Sequence, residues 1–246
     1  MTASPPIDPN WPLLLLPGTL CDERVFGPWL EAMSGSPAMA SREILHADFT
    51  GCDSAGAIAA RVLETMPVCF IPLGFSLGAI IALELALMAP DRVGAMVLVA
   101  ANGRDVPLAD HAARRAAAAT DPVTLVSETL WPRYVAPLRQ DDASLRQLIA
   151  DMARTAPPGA LALQTEVALT RSDKRPHLAA MTMPALVLGG ALDLIAPPAL
   201  QAELAEGLPN AMLRIAADAG HFLPLERPEF CARALADWLA LTPALH

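Results

Sequence analysis

The sequence predicts an α/β fold: a mostly parallel sheet of about six strands, with helices on both faces and a helical block inserted after the fourth strand. Three observations lead there. Short apolar runs bounded by Gly and Pro alternate with helix-forming stretches up to Ala100, and the same rhythm returns after Pro176. Between about Arg104 and Arg175 there are helical patterns and no convincing strand. With 246 residues, 54% of them hydrophobic, the chain can bury a sizeable core. Alternating strands and helices imply crossover connections, hence parallel strands covered by helices.

The elements follow in order. Leu13–Leu16, between Pro12 and Pro17-Gly18, reads as a buried strand. A helix is expected from about Asp22 to Met33 and a second strand around Arg42–Ala47. Asp53 or Ser54 can cap a helix running to about Met66. Val68–Leu73 reads as a third strand closed by Gly74, followed by an Ala/Leu-rich helix from Leu77 to Met88 that stops at Pro90. Ala95–Ala100 is the fourth strand. Helical patterns at His111–Thr120, Val123–Leu130 and Ala143–Arg154 make up the inserted block, cut into pieces by prolines. Ala185–Gly189 and Ala211–Ile215 then read as strands, and Pro197–Leu208 and Pro228–Ala240 as helices. The expected division is a core from residues 1–103 and 176–246 and an insertion from 104–175.

Composition excludes several function classes. A formal net charge of −9 repels phosphate backbones, and only 4% of residues are aromatic, so no nucleic-acid partner is expected. Leu13–Leu16 is too short for a signal segment or membrane span, and Met1–Trp11 lacks a basic stretch. No membrane partner is expected. The four cysteines, Cys21, Cys52, Cys69 and Cys231, form no Cys-x-x-Cys pair and sit beside no histidine at metal-ligand spacing. The chain is therefore expected to be cytoplasmic, with reduced thiols, no metal and no organic cofactor.

Gly74-Phe75-Ser76-Leu77-Gly78 is a Gly-x-Ser-x-Gly. By composition alone, about one chain in ten of this length would carry the pattern by chance. Its setting is more informative, because it follows a buried strand and opens a helix at once. Such an elbow lifts the serine hydroxyl clear of the sheet with a helix N-terminus beneath it. A serine needs a base to take its proton. Of the five histidines, His246 is terminal, His46 precedes the elbow, and His111 and His177 lie in or beside the insertion. His221, in the loop between the last strand and the last helix, is placed at the carboxyl edge of the sheet, where open α/β sheets build their sites. Asp193, just past the fifth strand, is the favoured acid to orient that base, and Asp218 is the competitor. Acyl transfer also needs two donors for the oxyanion. These are assigned to the backbone N–H of Leu77 and to one from the loop Pro17-Gly18-Thr19-Leu20, Thr19 first and Leu20 second.

Leu14–Gly18, the Gly74–Gly78 elbow, Pro90-Asp91-Arg92-Val93, Val187–Asp193 and Ala219–Pro228 together make the chain similar to the α/β-hydrolase superfamily over nearly its whole length. It resembles the small single-domain group that includes enol-lactonases, pimeloyl-ester hydrolases and related carboxylesterases. The resemblance implies a serine hydrolase acting on a small carboxylic ester, lactone or thioester through an acyl-serine. The superfamily also contains C–C bond hydrolases and lyases with the same triad, and non-catalytic binding proteins, and both stay open as alternatives. It implies that the insertion is a helical lid over the site. Phe75 and Phe222, with Trp131 and Tyr134 from the lid, are the expected lining of the acyl pocket. Arg114, Arg115 and Arg171 are candidates to meet a substrate carboxylate, or simply to form ion pairs with nearby acids. Many relatives carry His-Gly where this chain has Pro17-Gly18, and a frequent N-terminal hairpin is expected to be missing.

Overall fold

A computed structural model describes residues 6–241. The terminal stretches, and with them His246, lie outside the described residues. Six parallel strands form one sheet in the order β2-β1-β3-β4-β5-β6. They are β1 (Leu13–Leu16), β2 (Ile44–His46), β3 (Ile71–Phe75), β4 (Met96–Val99), β5 (Ala185–Gly190) and β6 (Ala211–Ala216). The central strands are apolar at nearly every position, because both of their faces are covered.

Alternate side chains feed two apolar layers. Leu13, Leu15, Ile71, Leu73, Phe75, Val97, Val99, Leu186 and Leu188 point to one side, and Leu14, Leu16, Met96, Leu98, Ala185 and Val187 to the other. Full burial of each leucine contributes roughly 1.5–3 kcal/mol. The first layer packs against α1 (Gly27–Ala32) and α10 (Pro228–Leu241); the second packs against α2 (Ala55–Thr65), α3 (Leu77–Met88) and α9 (Pro198–Gly207). Ser54 caps α2 through its side chain, which accepts the N–H of Ala57. Helix α3 is apolar almost all round because it is wedged between the sheet and α2.

Most strand ends lie within one residue of the expectation, and two strands depart further. The third strand starts at Ile71, not Val68, because pairing with β1 begins where Leu13 meets Ile71; Val68 is left 83% exposed. The strand also runs on through Gly74 to Phe75, directly into the elbow. The second strand shrinks to three residues, since it lies at the sheet edge and pairs on one side alone.

Between β4 and β5 the chain is helical: α4 (Leu108–Ala118), α5 (Pro122–Thr124) continuing as a π-helical turn over Leu125–Thr129, α6 (Trp131–Tyr134), α7 (Ala143–Thr155) and α8 (Ala160–Leu169). Asp121 and Asp142 cap α5 and α7 through their carboxylates. Leu125, Val126, Trp131, Val135, Leu145, Ile149, Met152 and Leu161 join the first apolar layer. Lys174 ties the end of this block to α3, with its buried ammonium on Glu84 and 2.7 Å from Ser172 Oγ. Among the described residues no helix is long and apolar enough to cross a membrane.

Candidate active site

The loops that follow β1, β3, β5 and β6 meet at the carboxyl edge of the sheet. Ser76 stands at the turn from β3 into α3 with φ +53 and ψ −109. Such a conformation costs a non-glycine residue on the order of 1–3 kcal/mol, and its surroundings must hold it. They do so on three sides. Ser76 N–H donates to the carbonyl of Val99 at 2.9 Å. A Cβ on Gly74 would lie 2.4 Å from the carbonyl oxygen of Gly78, and one on Gly78 would lie 1.8 Å from that of Leu16. Only glycine fits at either end of the elbow, so the motif is a packing requirement of the strained serine.

His221 brings its ring to that serine. Its Nε2 lies 2.9 Å from Ser76 Oγ, and its Nδ1 lies 2.9 Å from Asp193 Oδ2. A carboxylate only accepts, so Nδ1 carries the proton and Nε2 is left to accept from the serine. The Asp193 carboxylate is 2% exposed, and its other oxygen accepts the N–H groups of Ile195 at 2.7 Å and Ala196 at 2.8 Å. Those two bonds fix the acid in the loop after β5. Asp218, the competing acid, is exposed and forms an ion pair with Arg227, whose hydrogen bonding holds its carboxyl below the usual range. Among the described residues no hydrogen bond or ion pair joins it to His221.

Two N–H groups lie beside Ser76 without a hydrogen-bond partner among the described residues: those of Leu77, the first residue of α3, and Thr19. A free N–H is ordinary at a helix start, and here it belongs to the residue directly after the serine. Gly18 presses the first loop onto the nucleophile, since a Cβ there would lie 3.4 Å from Ser76 Cβ and 2.9 Å from the Phe75 ring. Leu20, the second choice for the loop donor, is not free. It has φ +56, and its N–H donates to Gln164 Oε1 at 2.8 Å.

Three of the four expected pocket residues gather around the base. Tyr134 stacks on the His221 ring at 5.9 Å and meets Phe222 edge-on at 5.0 Å, and Phe75 lies 5.4 Å from His221 and 5.3 Å from Phe222. Burial pushes the Tyr134 phenol above its usual range, so it stays neutral. Trp131 does not join them. It is buried within the insertion, donates from Nε1 to the Gln140 carbonyl at 2.9 Å and is covered by the Arg146 guanidinium. Apolar bulk in a helical block serves its own packing first, and the sequence pattern does not separate the two uses. Two of the three candidate arginines are likewise engaged: Arg115 pairs with Glu166, and Arg171 donates to the Arg104 carbonyl. Burial lowers Arg171 to about 10.

The alpha/beta hydrolase fold model matches residues 41–228. The chain belongs to that family. Among its relatives, a Mycobacterium tuberculosis protein provisionally named non-heme bromoperoxidase BpoC is 31% identical over 199 residues, 75% of this chain and 74% of that one. The pimeloyl-[acyl-carrier protein] methyl ester esterase of Vibrio parahaemolyticus is 29% identical, with 72% of each chain covered. The crystal structure of the enol-lactonase from Burkholderia xenovorans LB400 superposes with a TM-score of 0.81 at 21% identity, covering 94% of this chain and 92% of that one; at that identity it shows a shared fold.

Two residues of this candidate site escaped the sequence reading. Glu226 is 2% exposed, and its carboxylate accepts the N–H of Ala136 at 2.8 Å and of Gly220 at 3.0 and 3.1 Å. It stitches the histidine loop to the insertion, helped by the Tyr134 carbonyl, which accepts the N–H groups of His221 and Phe222. Burial raises its carboxyl above the usual value. An acid five residues past the histidine was a visible signal. Gln201, fully buried under Gly189, donates to the Ala196 carbonyl at 2.6 Å and steadies the Asp193 loop. Nothing in the sequence marks it.

Proposed function

We propose that this chain is a serine hydrolase that cleaves a small carboxylic ester, lactone or thioester through an acyl-serine, with the insertion as its lid. One observation carries the reading: Ser76 Oγ, His221 and the buried Asp193 carboxylate line up at successive 2.9 Å contacts, beside two unpartnered N–H groups.

The chemistry follows from that line. Ser76 Oγ attacks the substrate carbonyl carbon while His221 Nε2 takes its proton as general base. The carbonyl oxygen becomes an oxyanion, held by the N–H groups of Leu77 and Thr19. Asp193 stabilises the imidazolium, which returns the proton to the leaving alcohol or thiol as the tetrahedral intermediate collapses. Water then attacks the acyl-serine by the same route in reverse, releasing the acid. Phe75, Tyr134 and Phe222 form an apolar wall beside the base, suited to an uncharged acyl group. The proposal includes a small-molecule acyl substrate and a cytoplasmic location, on the sequence arguments above. The esterase name of a relative and the geometry of the site both support the ester-hydrolase reading.

The test combines a fluorophosphonate probe with p-nitrophenyl esters of graded chain length. The probe is expected to label Ser76, and Ser76→Ala is expected to lose activity by on the order of 10⁴-fold or more while remaining folded. Undiminished turnover in the purified variant refutes the serine mechanism.

A further inference from the structure

The loop that carries the proposed Thr19 donor is a tight turn. The carbonyl of Gly18 accepts the N–H of Cys21 at 3.1 Å, and of the two central residues only Leu20 has a positive φ. That is the pattern of a type II turn, whose third position favours glycine. Types I and II differ by a flip of the central peptide, here the one joining Thr19 to Leu20. In this protein that peptide is held at both ends. Its N–H donates to Gln164 Oε1 at 2.8 Å, and its carbonyl accepts from Cys21 Sγ at 3.5 Å. Gln164 belongs to α8 of the insertion, 144 residues away in the chain.

The consequences fall on Thr19. Its N–H belongs to the peptide just before the held one, so a restraint on the Leu20 N–H acts on it by holding the whole Gly18–Cys21 loop in place. Gly18 already lies against Phe75 and Ser76, so the loop cannot move inward. What keeps it from relaxing outward is the acceptor on α8. The sulfur contact is long and weak, which leaves Gln164 as the principal restraint on the orientation of the Leu20 N–H.

We propose that Gln164 is a positioning residue for the oxyanion hole: through the Leu20 N–H it tethers the loop that carries the Thr19 N–H, keeping that loop packed beside Ser76. This deepens the serine-hydrolase reading and rests on it. The insertion is then part of the catalytic apparatus, in addition to covering it.

The test compares Gln164→Met, which keeps length and loses the acceptor, with Gln164→Glu, which keeps it. The readouts are kcat and KM on the best p-nitrophenyl ester, and inhibition by the trifluoromethyl ketone of the same acyl chain, which forms an oxyanion on Ser76. Losing a whole oxyanion donor costs about 10²–10³-fold in kcat, so misaligning one is expected to cost about tenfold. Gln164→Met is expected to lower kcat by that factor with KM within about twofold, and to weaken the ketone in parallel. Gln164→Glu is expected to restore both to within about threefold. Gln164→Ala serves in the same comparison should the methionine variant fold poorly. Unchanged kcat and ketone affinity in the acceptor-less variants, or equal losses in Gln164→Glu, overturn the proposal. Wild-type protein that the fluorophosphonate does not label overturns the serine-hydrolase reading itself. Labelled wild type with an indifferent Gln164 overturns this inference alone.

Discussion

Replacing Asp193 by asparagine separates geometry from charge at this site. The side chain keeps its size, so the question is where the amide places its NH₂. Oδ1 accepts two backbone N–H groups, at 2.7 and 2.8 Å. Turning the NH₂ toward them would strand two buried donors, at roughly 1–3 kcal/mol each. The NH₂ therefore takes the place of Oδ2, 2.9 Å from His221 Nδ1. Two donors cannot share that contact, so Nδ1 must give up its proton and Nε2 must carry one. A protonated Nε2 cannot accept from Ser76. The expected loss in kcat is about 10⁴-fold, or about 5.4 kcal/mol of barrier. The assay is turnover of one activated ester, alongside a thermal melt expected to move by only a few degrees. Asp218→Asn is the control: an exposed carboxylate paired with Arg227 is screened by solvent and has no part in the proton transfer, so the rate should stay within about twofold. A large loss at Asp218 with near-normal turnover at Asp193 refutes the reasoning.

Two predictions concern stability. Gly78→Ala puts a methyl group 1.8 Å from the Leu16 carbonyl oxygen, where strand and helix backbones must both shift; a loss of about 3 kcal/mol or more is expected in urea titrations, and a loss below about 1 kcal/mol would show that the elbow is softer than the packing implies. Glu226 is a carboxyl whose pKa burial raises above 4.5, so the native state holds its proton more tightly than the unfolded chain. Its contribution is fully present below the unfolded pKa and is lost as pH rises through the folded one. Glu226→Gln removes that dependence, so its stability relative to wild type is expected to improve as pH rises through this window. Parallel stability curves for the two proteins would contradict it.

The sequence by itself determined the sheet and the order of the site. Short apolar runs bounded by Gly and Pro and alternating with helical stretches read as strands of a covered parallel sheet, and all six expected strands have counterparts in the structure, the second reduced to three residues at the edge. The elbow helix is Leu77–Met88 in both readings, because its start is fixed by a motif with local geometry and its end by Pro90. The serine, the acid and the histidine were legible because each follows a strand, and strand ends of one parallel sheet share an edge.

Tertiary structure alone decided how those loops are held. Whether Val68 or Ile71 opens the third strand depends on register with β1, which is not written in either segment. Asp218 was dismissed on geometry, by its ion pair with Arg227. The Leu20 N–H was removed from the oxyanion choices by a glutamine 144 residues away, and the histidine loop is tied to the insertion through backbone groups of Tyr134 and Ala136. Backbone donors and acceptors are the same at every residue, so bonds to them leave no mark in a sequence. Trp131 shows the same limit for side chains: its apolar character predicted burial, and only packing could say whether it was buried in the insertion or beside the base.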